Sequence, residues 1–338
     1  RRVMLGAGAA VAWARFAAPA RAATRIKFIL NWKYEGPQSY FFLAQDRGYF
    51  RDEGIDVAFD QGSGSGAAVP QVMNGAYDMG FGDINALIEL AAKRNDTPIA
   101  TAVLYNRPPF VIVVKANSGI KVPADLAGKT IGGAPNDAAM KLFPTFCKRA
   151  NVNPEAVKIT SIQPQLYAQM LGRGQVDAVF GYYTTLWFAT KLARLDPANE
   201  LRFMRYGDYG MDLLSNSIIV SRALVTEKPE VVRGFHRALF RGLRDTVADP
   251  DAAIAALIKR EPLTRASIEK EKLLFTMKND MSDPSIATIG LGAVDQARLA
   301  ASIDIIVEAN GLPRTPKPSE VFTPEFLPPL HDRPEKLI

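Results

Sequence analysis

Cysteine is nearly missing from this chain of 338 residues, with Cys147 as its single representative. That excludes a disulfide framework and, because Cys147 lies far from the N-terminus, a lipid-anchored leader. Cys147 falls in a helical segment beside Phe146, the place of a core thiol. Histidine is scarce as well: only His236, in a segment that reads as a surface helix, and His331, in a Pro-rich tail, are present. Neither a His-based metal site nor a Ser-His triad is easily assembled from them. Carboxylates are plentiful, but no pair is singled out by spacing, so no cofactor and no bond-making chemistry is expected.

The basic excess is equally thin. A formal net charge of +6 includes Arg1, Arg2, Arg15 and Arg21, all in an opening segment without acids. The remainder, about +2, is too little for a phosphate-binding surface, and nucleic acid is excluded as a partner. The uncharged run Val3 to Ala14 is too short to span a membrane. With the arginine pair before it and Ala20-Arg21-Ala22 after it, residues 1–22 have the form of a twin-arginine-like export signal, and the mature chain is expected to start near Ala23.

What is present is the alternation of an α/β fold. Strands are expected at Ile26 to Asn31, Ile55 to Asp60, Met79 to Phe81, Ile99 to Leu104 and Phe110 to Lys115. A second set follows at Thr130 to Gly133, Val157 to Ile162, Ala178 to Tyr182 and Ser217 to Val220. Helical periodicity marks Ser65 to Ala76, with Ser65 as N-cap, and also Ala138 to Ala150 and Leu166 to Arg173. The last third is helical, clearest over Pro229 to Val247 and Ile289 to Asn310, before a tail from Pro313 that wraps over the surface.

The two sets share a local pattern. GAYDMGFG at residues 75–82 recurs as GQVDAVFG at 174–181, with Gly75, Asp78, Phe81 and Gly82 each repeated 99 residues later. A glycine closing a helix, then a short buried strand, suits two similar lobes. GSGSGA at 62–67 satisfies a loose dinucleotide fingerprint, but a strand and helix already precede it, so the nucleotide reading is weak. Its glycines still allow a ligand close to backbone. Gly128-Lys129-Thr130 lacks the glycine that a phosphate loop requires at position 123 and is accidental.

Amide and aromatic groups instead gather at strand ends: Asn31 and Trp32, Asp83 and Asn85, Tyr105 and Asn106, Asn136 and Asp137, Tyr182 and Tyr183. Ligands in open α/β sheets bind at those carboxyl ends. At this point LNW (30–32), FFLAQDRGYFRDEGIDV (41–57), GSGSG (62–66), GAYDMGFGD (75–83) and DLAGKTIGG (125–133), as an ordered set, resemble the periplasmic solute-binding proteins of ABC importers. The group concerned includes thiamine-pyrimidine-precursor, riboflavin, alkanesulfonate and nitrate or bicarbonate binders.

The resemblance implies a type II two-lobed α/β fold with two hinge crossings, expected near Val114 to Asn117 and Leu214 to Val220. Lobe 1 is then residues 24–114 plus 217–338, and lobe 2 is residues 115–216. It further implies a monomer in the periplasm, exported and not lipid-anchored, that closes on a small solute and is read by importer membrane subunits. Trp32 with Tyr182 or Tyr183 could sandwich a planar heterocycle. Asp83 would accept from its N–H groups, and Asn31, Gln38 and Asn136 would bond its edge, beside Tyr105 and the Ser63, Gly64 and Ser65 loop. The alternatives are an organic anion held by that loop, or an enzyme like the fungal pyrimidine synthases. The latter carry a Cys-rich motif that one cysteine cannot provide.

Overall fold

The computed structural model describes residues 23–338; the expected export signal lies outside the described residues. Ten strands are described: β1 Thr24–Ile29, β2 Ile55–Asp60, β3 Met79–Asp83, β4 Ile99–Val103, β5 Phe110–Lys115, β6 Thr130–Gly133, β7 Lys158–Ser161, β8 Ala178–Tyr182, β9 Leu201–Arg205 and β10 Asn216–Val220. They form two five-stranded sheets, in the orders β2-β1-β3-β10-β4 and β7-β6-β8-β5-β9. In each sheet three strands run parallel, and the next is antiparallel to both of its neighbours. That antiparallel strand is the one the chain delivers as it crosses from one lobe to the other. β3, β5 and β10 are buried almost throughout, and β5 reads as a continuous apolar run up to Lys115, whereas edge strand β2 alternates.

This arrangement moves the first expected crossing. Phe110–Lys115, assigned from sequence to lobe 1, pairs with β8 and β9 in the second sheet, so the chain crosses over residues 104–109 and returns over 206–215. The two crossings run side by side: the Tyr105 and Leu104 N–H groups donate to the Asn216 carbonyl, and the Ser215 N–H donates to the Tyr105 carbonyl at 3.0 Å. Strand β9, LRFMR, carries no signal of its own because Arg202 and Arg205 interrupt its apolar residues without a period of two, along a partly exposed edge.

The repeat is structural. Gly75 and Gly174 both take left-handed φ angles, 76° and 68°, after helices. The Asp78 carboxylate accepts from the Lys27 N–H at 2.8 Å, and Asp177 does the same for Thr130 at 2.8 Å. Each aspartate thereby ties its strand to the neighbouring parallel strand, β1 in one sheet and β6 in the other.

Helices over Ser39–Asp46, Pro229–Ala248, Pro250–Ile258 and Ala266–Thr276 cover one face of the first sheet. Phe28, Phe41, Phe59 and Phe235 pack there with ring centroids 5.3–5.5 Å apart. The sequence expectation differs from the structure at several helix ends. Ala138 to Ala150 is two helices, Ala138–Lys141 and Phe143–Ala150, because Pro144 suits a first turn and not a helix interior. The last long helix is Gln296–Asn310 rather than 289–310, since Gly290 and Gly292 have φ of 73° and 96°. His236 is fully buried, with Nε2 2.8 Å from the Thr101 hydroxyl, and not on a surface helix face. The Pro-rich tail does more than wrap: Val321, Phe322 and Phe326 are buried, and the Thr323 N–H donates to Ala100 on the edge of β4. No described helix is long and apolar enough to cross a membrane.

Candidate functional site

The carboxyl ends of both sheets face one cleft between the lobes, the place where open α/β sheets take small-molecule ligands. From lobe 1, the turn after β1 brings Asn31, Trp32, Glu35 and Gln38 to its wall. This turn is shaped by close approach. Gly36 donates its N–H to the Glu269 carboxylate at 2.6 Å, and a Cβ on Gly36 would lie 2.0 Å from the Glu269 carbonyl oxygen. The Asn31 and Gln38 side-chain amides are 3.0 Å apart, so each fixes the other's direction.

The glycine loop supplies Ser63, Gly64 and Ser65. Its glycines are explained by packing: Gly62 and Gly64 donate N–H to the Trp32 and Asn31 carbonyls at 2.9 and 3.1 Å. Those two amides are therefore spent on the strand end and are not offered to a ligand. The helix Ser65–Met73 starts with Gly64, φ 134°, as its N-cap, so Ser65 is its first helical residue rather than its cap.

Lobe 2 adds Asp137, Tyr167, Tyr182, Thr184 and Thr185. Tyr182 stands 99 residues after Asp83, and the two are equivalent in the repeat. Both precede a helix, but only Asp83 can cap one: its Oδ1 accepts from the Asn85 N–H and side-chain amide, whereas Tyr182 makes no cap bond. The Tyr182 hydroxyl instead reaches across to Ser65, 2.5 Å away, and donates to the Asn216 side chain at 3.0 Å. Thr184 donates to Asp280 at 2.9 Å, Lys141 to the Gly66 carbonyl at 3.2 Å and Lys191 to Glu271 at 2.8 Å. All five contacts join the lobes, so the conformation is closed.

Asn31, Trp32, Gln38, Ser63, Gly64, Ser65, Tyr105 and Tyr182 are thus brought together as expected from sequence. Three other residues are not. Asp83 is buried, absent from the cleft lining and occupied as a helix cap. Asn136 is exposed at the rim, where its backbone carbonyl faces Gly64. Tyr183 points away into Trp187, Phe203 and Phe275, with the Arg205 guanidinium 4.5 Å from its ring centroid. Sequence reasoning missed Glu35, Asp137, Tyr167, Thr184, Thr276 and Asp280 as lining residues. Asp137 does follow a strand end like the others; Thr276 and Asp280 lie in the helical last third, where no local pattern marks them.

The electrostatics are lopsided. Glu35, Asp137 and Asp280 line the cleft, and no Lys or Arg does. Burial pushes Asp280 up to about 7 against the opposing Thr184 bond, and Asp137 up to about 6 against two helix amides. Glu35 is raised by burial and pulled back by Lys272. Asp83 is likewise pushed up to about 7 by burial.

A folded-state pKa above the unfolded one means that Asp83 favours folding when protonated. Its contribution is lost as pH rises from about 4 through 7. Asn caps helices as well as Asp does. Asp83→Asn is therefore expected to raise stability at pH 8 by about 2 kcal/mol, with the gain gone by pH 4. Solute affinity should stay within about twofold, because hydrogen-bonding capacity toward the cleft is not removed. Calorimetric melting at the two pH values, with a binding titration, checks both.

A closed two-lobed sheet pair with its cleft at the strand ends is the architecture of a periplasmic binding protein. Among solved structures, the periplasmic aliphatic sulphonate binding protein of Escherichia coli superposes with a TM-score of 0.65 over 89% of this chain and 91% of that one, at 17% identity. Residues 38–253 match the NMT1/THI5-like profile, and the chain belongs to that family. Its relatives include a riboflavin-binding protein of Chloroflexus aurantiacus, 27% identical over 85% of this chain and 82% of that one. A formylaminopyrimidine-binding protein of Halalkalibacterium halodurans is 25% identical over 77% and 78%. A 4-amino-5-hydroxymethyl-2-methylpyrimidine phosphate synthase of Legionella pneumophila is 23% identical over 90% and 93%.

Proposed function

We propose that this protein is the extracytoplasmic solute-binding component of an ABC importer. It captures a small planar nitrogen heterocycle, neutral or mildly cationic and of the pyrimidine or thiamine-precursor kind, by lobe closure. One observation carries the choice of solute: a cleft walled by Trp32, Tyr105, Tyr167 and Tyr182 holds three carboxylates and no cationic side chain. Aromatic faces suit a flat ring, and carboxylates suit its N–H groups. An organic anion would meet carboxyl groups and no cationic side chain in the lining, and burying it without a partner is costly. The partners of this role are the importer's membrane subunits, and its compartment is the periplasm.

The relatives named for riboflavin and formylaminopyrimidine binding support the same class of ligand. The relative named as a synthase keeps catalysis as the rival. Against it, the lining of this cleft contains neither histidine nor cysteine, so neither a Ser–His nor a Cys–His pair can be assembled there.

A thermal-shift screen separates the solutes. Aminopyrimidines or flavins should raise the melting temperature by several degrees at concentrations well above Kd, while alkanesulfonates, nitrate and carboxylates leave it in place. Stabilisation by the anions alone overturns the heterocycle.

A further inference from the structure

Among the described residues, the cleft lining contains one buried polar side-chain atom with no partner, and it belongs to Asp280. Asp280 is 1% exposed. It lies in a π-helical turn, Met277–Met281, that prolongs the helix Ala266–Thr276. Single π turns of this kind recur at functional sites. The turn is anchored to the first crossing: the Arg107 N–H donates to the Asp280 carbonyl at 3.0 Å, and the Asn106 side-chain amide donates to the Met281 carbonyl at 3.0 Å.

The carboxylate is oriented from the other lobe. Its Oδ2 accepts from the Thr184 hydroxyl at 2.9 Å, and the Thr276 hydroxyl in turn donates to Thr184 at 3.3 Å. With Oδ2 held, Oδ1 is left buried on a side chain that lines the cavity. The other lining carboxylates already have partners. Glu35 pairs with Lys272 at 3.3 Å, and Asp137 accepts from the Ala139 and Met140 N–H groups. A buried acceptor without a donor is costly, and a ligand that supplies the donor recovers that cost on binding.

We propose that Asp280 is a specificity-determining residue. Its Oδ1 accepts from an amino or ring N–H group of the solute, and the cleft rejects isosteres that place a methyl group at that edge. Thr184 acts as its positioning residue, fixing the carboxylate only when the lobes are closed. This inference rests on the heterocycle reading above.

Ligand-observed NMR titrations of the full chain with 4-aminopyrimidine and 4-methylpyrimidine, run above the value of about 7 to which burial raises Asp280, test it, because the two probes are alike in size and differ in one donor group. The wild type should bind the amino probe at least about tenfold more tightly, the scale of one hydrogen bond to a charged acceptor. Asp280→Leu should bring that ratio below about threefold, and Thr184→Val should lower it partway by freeing the carboxylate to rotate. A wild-type ratio near one, or an undiminished ratio in Asp280→Leu, overturns the role of Asp280 and leaves the heterocycle reading standing. If Asp280→Leu does not fold, an unchanged ratio in Thr184→Val overturns it. No saturable binding of either probe by the wild type overturns the heterocycle reading itself.

Discussion

Gly64→Ala weakens solute binding by about 100-fold or more while each lobe stays folded. Two physical effects lead there. Gly64 has φ 134° and ψ 138°, a conformation that a side chain rarely adopts, at a cost of about 1–3 kcal/mol. In addition, its new Cβ would stand 2.4 Å from the Asn136 carbonyl oxygen. That carbonyl belongs to the opposite lobe, so moving the lobes apart relieves the clash. The penalty therefore falls on closure, and each 1.4 kcal/mol on the closed state is about tenfold in affinity.

Gly66→Ala is the graded control. Its Cβ would meet the flexible Lys141 chain and the same carbonyl at 3.2–3.3 Å, which small shifts accommodate, so about threefold or less is expected. Small-angle scattering with saturating solute should show Gly64→Ala more extended than the wild type. Wild-type affinity in Gly64→Ala would mean that the closed contact between these loops is not part of binding.

Trp32→Ala is the second large loss, about 30- to 100-fold. Trp32 is half-buried on a turn whose backbone is fixed from three sides, by Gly62, Gly64 and Glu269, so little rearrangement can replace the missing ring. Removing the aromatic face costs about 2–3 kcal/mol of contact with a flat solute. Trp32→Phe keeps a face and should retain affinity within about fivefold. Titration calorimetry of the three proteins with one heterocycle reads the series. Unchanged affinity in Trp32→Ala removes the stacking wall without removing the binding-protein assignment.

Much of the fold was legible because its signals are local. β2, β5, β6 and β8 have the bounds that their apolar runs suggest, and the 99-residue recurrence marks equivalent helix ends and strand starts in two equivalent sheets. The crossing was misplaced because strand periodicity does not say which sheet a strand joins. Phe110–Lys115 follows lobe 1 in sequence yet sits among lobe 2 strands.

The site divides the same way. Asn31, Trp32 and Gln38 are visible as unusual residues after a strand. Asp83 and Asp137 look alike in sequence, each an aspartate beginning a helix, and each does cap its helix. Only the tertiary placement puts Asp137 on the cleft wall and leaves Asp83 out of it. Thr276 and Asp280 reach the cleft, and Glu269 the turn that walls it, from more than two hundred residues beyond that turn along the chain, through helices whose periodicity reports only their packed face.

Closure on an unaltered planar heterocycle is the central claim, and native mass spectrometry addresses it most directly. The protein is incubated with an equimolar mixture of aminopyrimidines, flavins, alkanesulfonates and carboxylates, desalted, and sprayed intact. The account predicts a one-to-one complex whose added mass, released by collision, equals that of an unchanged heterocycle from the mixture. A complex formed only with a sulfonate or carboxylate, or a released molecule whose mass differs from every component supplied, would contradict it.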